Sequence, residues 1–123
     1  MSGSMETVFV YGTLRRGGSN HHRLDGAEFV AMATVRGRLY RIDWYPGLIA
    51  DENAGEVIGE IHQMPASMLA ALDDYEGSEY RRVEMNVRQA HDDAPPCRAW
   101  AWLWNGPVDE SRRIAGGDWL VVT

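Results

Sequence analysis

Lysine is missing from this chain, in which all 12 basic residues are arginines. Its absence excludes any mechanism built on a lysine Schiff base or on a lysine that grips a phosphate. Cysteine is nearly missing too: Cys97 stands alone, cannot form an internal disulfide and fits a reducing compartment. Lying between Pro96 and the arginine that opens an apolar strand, it reads as a packed strand thiol rather than a nucleophile. Positive charge is in deficit, with 12 basic against 18 acidic residues and a formal net charge of -6. That balance argues against a nucleic-acid partner, because backbone phosphates are bound by clustered positive charge. There is no apolar run of membrane-spanning length and no charged-then-apolar leader before Val8, so a cytoplasmic protein with no membrane partner is expected. Residues 1–4 read as a vector-derived tail before a native start at Met5, and residues 5–123 as one domain, long enough for its own core.

What is present is punctuated by glycine. Val8-Phe9-Val10-Tyr11 is a β-branched and aromatic run halted by Gly12, the pattern of a first strand entering a tight turn. Phe29 to Ile42 alternates as a strand, Trp44-Tyr45-Pro46-Gly47 breaks it, and Leu48 to Ala50 and Gly55 to His62 supply two more. A helix is expected from Pro65, suited to a first helical turn, to Gly77, suited to the left-handed residue that ends one. Tyr80 to Val87 and Arg98 to Trp104 form a hairpin across the polar, proline-containing turn at residues 91–96. In its second strand Trp100, Trp102 and Trp104 share one face while Ala99, Ala101 and Leu103 share the other, so that strand is expected to be central. The tryptophan face suits core first, with an aromatic substrate wall or a subunit interface as alternatives. These elements predict an α+β domain: a small, mixed, six-stranded β-barrel flanked by short helices, with curvature admitted by the glycines.

One charge stands out of phase. At about 100° per residue, Glu76 falls about 20° from Leu69 and about 40° from Leu72, inside the apolar stripe of the helix. An ionised carboxylate withdrawn from water must find donors or hold a proton by raising its pKa, and carboxyls so raised serve proton-transfer enzymes. A structural pairing with arginine, or fraying of the last turn into solvent, would account for the same pattern. Asp73, Asp74, Glu76 and Glu79 cluster nearby, so a second acid/base reading uses Asp73 with Glu76.

The turn after the first strand is the other informative segment. Gly12, Gly17 and Ser19 match the spacing of a phosphate loop, but Gly18 holds the lysine position, which excludes nucleotide hydrolysis on that pattern. A positive φ at Gly12 and a local cap from Thr13 would explain the glycine alone. They leave unexplained the concentration of Tyr11, Thr13, Arg15, Arg16 and Asn20 around one turn, where successive backbone N–H groups can form an anion-binding concavity. His21 and His22 lack metal-ligand spacing and read as surface or packing residues, so no metal is expected.

Taken in order, Tyr11-Gly12-Thr13-Leu14, Tyr45-Pro46-Gly47-Leu48, Leu72-Asp73-Asp74-Tyr75-Glu76-Gly77, Tyr80-x-Arg82 and Gly117-Asp118-Trp119 resemble the γ-glutamylcyclotransferase-like family. The resemblance spans nearly the whole chain, and its most specific parts are the Tyr-Gly-Thr-Leu turn and the block that runs from Asp-x-x-Glu-Gly at Asp73 to Tyr-x-Arg at Arg82. It implies a pocket at the first strand's turn and intramolecular attack of a γ-glutamyl α-amine on its own γ-carbonyl, giving 5-oxoproline and a free amine. No metal or organic cofactor is implied. Glu76 would be the general base and then acid, the N–H groups of Gly12, Thr13 and Leu14 would hold the substrate carboxylate or the developing oxyanion, and Tyr11 and Tyr80 would line the pocket. Arg82 would orient Glu76 or support its strand. The partner implied is a small γ-glutamyl molecule, bound by a monomer or weak homodimer. Members differ in the amine released, which the few residues after Trp119 leave open. A non-catalytic binding module with the same pocket is the alternative from another class.

Overall fold

The alternation along the strands sets the architecture seen in a computed structural model, which describes residues 5–90 and 94–121. The tail at 1–4 and part of the polar turn, 91–93, lie outside the described residues. Six strands form: β1 (Met5–Val10), β2 (Glu28–Arg41), β3 (Pro46–Ala50), β4 (Glu56–Pro65), β5 (Tyr80–Gln89) and β6 (Cys97–Trp104). They are joined by one α-helix, α1 (Ala66–Glu76), and by 3-10 turns at His21–Leu24, Glu110–Arg112 and Trp119–Val121. The sheet runs β3-β2-β4-β1-β6-β5, and pairing of β2 with β5 closes five strands into a barrel from which β3 extends along β2. The barrel is mixed because β1 meets β6 in parallel while the other neighbours are antiparallel.

Period-two alternation divides the apolar residues between two cores. On β1, Phe9 faces the barrel interior with Tyr11 just beyond the strand, joined by Ala99, Ala101 and Leu103 from β6. Val8 and Val10 face outward, where with Trp102 they meet Leu69 and Leu72 of α1. Burying a leucine of this kind is worth about 1.5–3 kcal/mol, so these two side chains fix the phase of the helix, and with it the direction of Glu76. The tryptophan face divides among three surroundings: Trp102 is in the outer core, Trp100 packs against that core and donates to Glu6, and Trp104 stacks edge-on to Tyr80. As expected, β6 is central and pairs with β5 from Tyr80↔Trp104 to Val87↔Cys97.

The ends of α1 differ slightly from the sequence expectation. Pro65 closes β4 in extended conformation at ψ 150° and serves as the N-cap, one step before the first helical turn. Having no N–H, it costs the junction no donor. Gly77 does stop the helix, with φ +79° and ψ -171°, a region that essentially only glycine occupies.

Candidate active site

Three segments converge on one cavity of about 200 Å³. The end of β1 brings Tyr11 and the turn Gly12 to Leu14, the end of α1 brings Tyr75 and Glu76 with Glu79 and Tyr80 just beyond, and the β2–β3 connection with the start of β3 brings Trp44, Tyr45 and Pro46. The volume is below the roughly 300–1,000 Å³ of pockets for drug-sized ligands and suits a small metabolite.

The turn keeps its backbone donors free. Among the described residues the N–H groups of Gly12, Thr13 and Leu14 have no protein acceptor, whereas the next two N–H groups are used, Arg15 donating to Gly12 O at 3.1 Å and Arg16 to Glu60 Oε1 at 3.0 Å. Gly12 is not at positive φ. Glycine is needed there because a Cβ would stand 2.6 Å from Pro46 Cγ, so the positive-φ explanation gives way to close approach of the β2–β3 connection.

The polar residues crowding this turn form a buried brace behind it. Arg15, 4% exposed, pairs with Glu60 at 3.4 Å and with Asp118 at 2.7 Å, while Glu60, 2% exposed, also takes His62 Nε2 at 3.0 Å. Burial alone would raise the Glu60 carboxyl, but His62, the Arg16 N–H and Arg15 together hold it below the usual range. His21 Nδ1 lies 3.0 Å from Leu14 O and secures the far end of the turn. Among the described residues no cluster of three or more histidine, cysteine or acidic side chains is placed to hold a metal ion.

Glu76 is in the opposite condition. It lines the cavity from the last turn of α1, and among the described residues its carboxylate has no hydrogen-bond or ion-pair partner. Burial with nothing to offset it pushes its pKa up from 4.5 to about 7. Beside it, burial also raises the hydroxyls of Tyr11 and Tyr80, with the Glu76 charge adding to both, so each stays a neutral donor. Tyr11 donates to Trp102 O at 2.7 Å and Tyr80 to Pro46 O at 2.6 Å, ties that fix the cavity walls.

Of the residues singled out from the sequence, Tyr11, Gly12, Thr13, Leu14, Glu76 and Tyr80 share the cavity, and Arg82 does not. Arg82 Nε donates to both Asp73 oxygens, at 2.8 and 3.1 Å, and its guanidinium lies 4.4 Å from the Trp100 ring centre. Asp73 also accepts from Trp102 Nε1 at 2.8 Å. Burial would raise this carboxyl, but Arg82 and Trp102 hold it low, which makes Asp73 a poor proton carrier outside the cavity. Sequence reading missed Trp44, Tyr45 and Glu79 as cavity residues. Trp44 and Tyr45 read as punctuation between strands, and Glu79 only as one member of the acidic cluster with Asp73, Asp74 and Glu76.

A closed barrel with one cavity lined both by an acid unpartnered among the described residues and by free backbone donors has the form of a small-metabolite site. The "Gamma-glutamyl cyclotransferase, AIG2-like" family matches residues 8–121, and the chain belongs to that family. It is 32% identical over 116 residues, covering 92% of this chain and 95% of the relative, to the γ-glutamylcyclotransferase family protein YtfP of Escherichia coli K12. It is 38% identical over 105 residues, 74% of this chain and 67% of the relative, to the human γ-glutamylaminecyclotransferase. Among solved structures, an AIG2-like protein from Mus musculus superposes with a TM-score of 0.76 at 26% identity, covering 97% of this chain and 84% of that one. Its activity class is therefore that of a γ-glutamylcyclotransferase-type enzyme. No helix among the described residues is long and apolar enough to cross a membrane.

Proposed function

We propose that the cavity binds a γ-glutamyl amine or peptide and releases 5-oxoproline and the free amine, with Glu76 moving the proton. The α-ammonium of the substrate gives a proton to Glu76, and the freed nitrogen attacks the γ-carbonyl carbon of the same molecule to close a five-membered ring. The tetrahedral carbon then expels the other nitrogen, which takes that proton from Glu76 as the old carbon–nitrogen bond breaks, and the ring nitrogen gives its own surplus proton to the freed carboxylate, which passes it to the released amine, leaving the neutral lactam and an ammonium. One carboxyl serves as base and then acid, and a pKa near neutrality suits both tasks. The N–H groups of Gly12, Thr13 and Leu14 would hold the substrate's carboxylate or the developing oxyanion. Tyr11 and Tyr80 would confine the substrate to a folded geometry, which is where an intramolecular reaction gains most. Arg82 would contribute at one remove, by securing Asp73 and the end of α1.

The observation that carries this reading is that Glu76, half-buried and without a partner among the described residues, lines the same cavity as the three N–H groups that are free there. The test is Glu76→Gln assayed for 5-oxoproline release from γ-glutamyl amides. Turnover is expected to fall about 10²–10⁴-fold, the usual contribution of a general acid/base, with the thermal transition intact. Wild-type rates in the variant would remove Glu76 from the role. Should the wild type release no 5-oxoproline while glutamate or 5-oxoproline raises its melting temperature, the cavity is a non-catalytic binding site.

A further inference from the structure

We propose that a second cavity, beside the Glu60 brace, binds a phosphate monoester of a small organic molecule. It measures about 340 Å³, within the roughly 300–1,000 Å³ of small-molecule pockets and more than an inorganic ion fills. The residues after β1, the 3-10 turn at His21–Leu24 and the strands β2 and β4 bring Arg16, His21, His22, Phe29 and His62 to its wall. Neither Glu76 nor the turn from Gly12 to Leu14 lines it, so it is separate from the site described above.

Arg15 and Arg16 are neighbours with opposite fates. Arg15 is spent on Glu60 and Asp118. The Arg16 guanidinium lies 3.4 Å from the centre of the Phe29 ring, its Nε is 3.8 Å from Glu60 Oε1, and among the described residues its one hydrogen-bond acceptor is the sulfur of Met32, at 4.0 Å. Held flat on an aromatic ring, it keeps its N–H fork for an oxyanion, the geometry in which arginine takes phosphate. His62 supplies a buried polar group. It is 2% exposed, its Nε2 lies 3.0 Å from Glu60 Oε1, and Phe29 stands edge-on to its ring at 5.5 Å. A carboxylate only accepts, so the Nε2 proton is committed to Glu60, and Nδ1 has no partner among the described residues. Among those residues the side-chain atom both sealed from solvent and without a partner is Arg38 Nε, so His62 Nδ1 opens onto the cavity that its ring lines. A proton taken up at Nδ1 makes it a second cationic donor in the same cavity as Arg16. A phosphate monoester is close to a dianion at neutral pH and engages both, while its organic part meets Leu24, Ala27 and Phe29. Asp25, the one carboxylate on the wall among the described residues, is exposed and opposes the anion through solvent.

The experiment follows the histidine ring signals by NMR while the full chain is titrated at fixed ionic strength with phenyl phosphate, phenyl sulfate and inorganic phosphate. Phenyl phosphate is expected to move the His22 and His62 signals to saturation. It should bind about tenfold tighter than either phenyl sulfate, which lacks the second charge, or inorganic phosphate, which lacks the ring. Arg16→Gln is expected to weaken it about tenfold, the scale of one charge-assisted hydrogen bond, and Asp25→Asn to tighten it about threefold by removing an exposed like charge. Both side chains are exposed, so neither variant is expected to unfold. Equal affinity for phenyl sulfate or inorganic phosphate overturns the dianionic organic ester as the ligand. No saturable shift at His22 and His62, or unchanged affinity in Arg16→Gln, overturns the site, and in the second case places the anion elsewhere. Binding is read here without any assay of turnover, so these outcomes are independent of the cyclotransferase reading.

Discussion

Glu60 and Glu76 are both glutamates withdrawn from water at the Gly12 turn, one behind it and one across the cavity from it, and their surroundings drive them in opposite directions. Glu60 is 2% exposed and surrounded by donors, from Arg15, the Arg16 N–H and His62, and its pKa goes down. Glu76 keeps some contact with the cavity and has no partner among the described residues, and its pKa goes up to about 7. Burial therefore does not decide what a carboxylate does; the donors around it do. The fold spends its polar groups on making the rear of the turn rigid and leaves the front bare. Among the described residues, the front of the turn and the wall opposite present unpaired N–H groups and an uncompensated acid to one cavity.

The largest effect that would separate the two acids is the loss of turnover in Glu76→Gln, a variant expected to fold. Glu60→Gln should do the reverse and cost stability first. Removing the charge leaves Arg15 buried with Asp118 alone and sets an amide N–H against donors that now face a carboxylate. Breaking one side of a buried pair costs about 3–5 kcal/mol, to be measured by denaturant or thermal unfolding. A variant within about 0.5 kcal/mol of wild type would mean that the brace contributes nothing to holding the turn.

The pH dependence of stability sharpens the contrast. Glu76 has its pKa raised in the folded protein, so its favourable contribution is complete below its ordinary value of 4.5 and is lost as pH rises through about 7. Glu60 has its pKa lowered, so its contribution is present above the ordinary value and lost as pH falls through the folded one. Replacing Glu76 by Gln removes the first dependence and keeps the second. The melting temperature of Glu76→Gln relative to wild type is expected to climb between pH 5 and pH 8.5 by about 4 °C, the scale of 1 kcal/mol in a domain of this size. A difference that stays constant over that interval would show that the Glu76 carboxyl is not desolvated.

Much of this was legible from local pattern. The strand alternation gave both faces of β6, and the 3.6-residue period put Glu76 on the stripe of Leu69 and Leu72 because the same leucines that bury the helix also aim its last turn. The brace was not legible as a brace. Arg15, Glu60 and Asp118 are separated by 45 and 103 positions in their contacts with Arg15, and nothing local in Gly59-Glu60-Ile61-His62 says that the acid is inside. Trp44 and Tyr45 were hidden for a related reason: a strand-breaking tetrapeptide becomes a cavity wall only because β3 folds back on β2 and carries Pro46 onto Gly12. Arg82 was grouped with Tyr80 through the Tyr-x-Arg pattern of the family it resembles, but Asp73 at the end of α1 takes it up before the cavity is reached.

Asp73 supplies the smallest and most discriminating change. It stands three residues before Glu76 on the same helix, yet its oxygens are already bonded to Arg82 and Trp102, and its side chain is 36% exposed. Asn at this position keeps an acceptor for the Trp102 and Arg82 donors through one oxygen and loses only the charge, in a part-exposed pair of the kind worth about 0–1 kcal/mol. Asp73→Asn should therefore melt slightly lower than wild type and retain kcat within about threefold, a change of less than 1 kcal/mol in the barrier. A loss of a hundredfold or more in Asp73→Asn, with Glu76→Gln still active, would exchange the two residues' roles and make the partnered acid, rather than the bare one, the proton carrier.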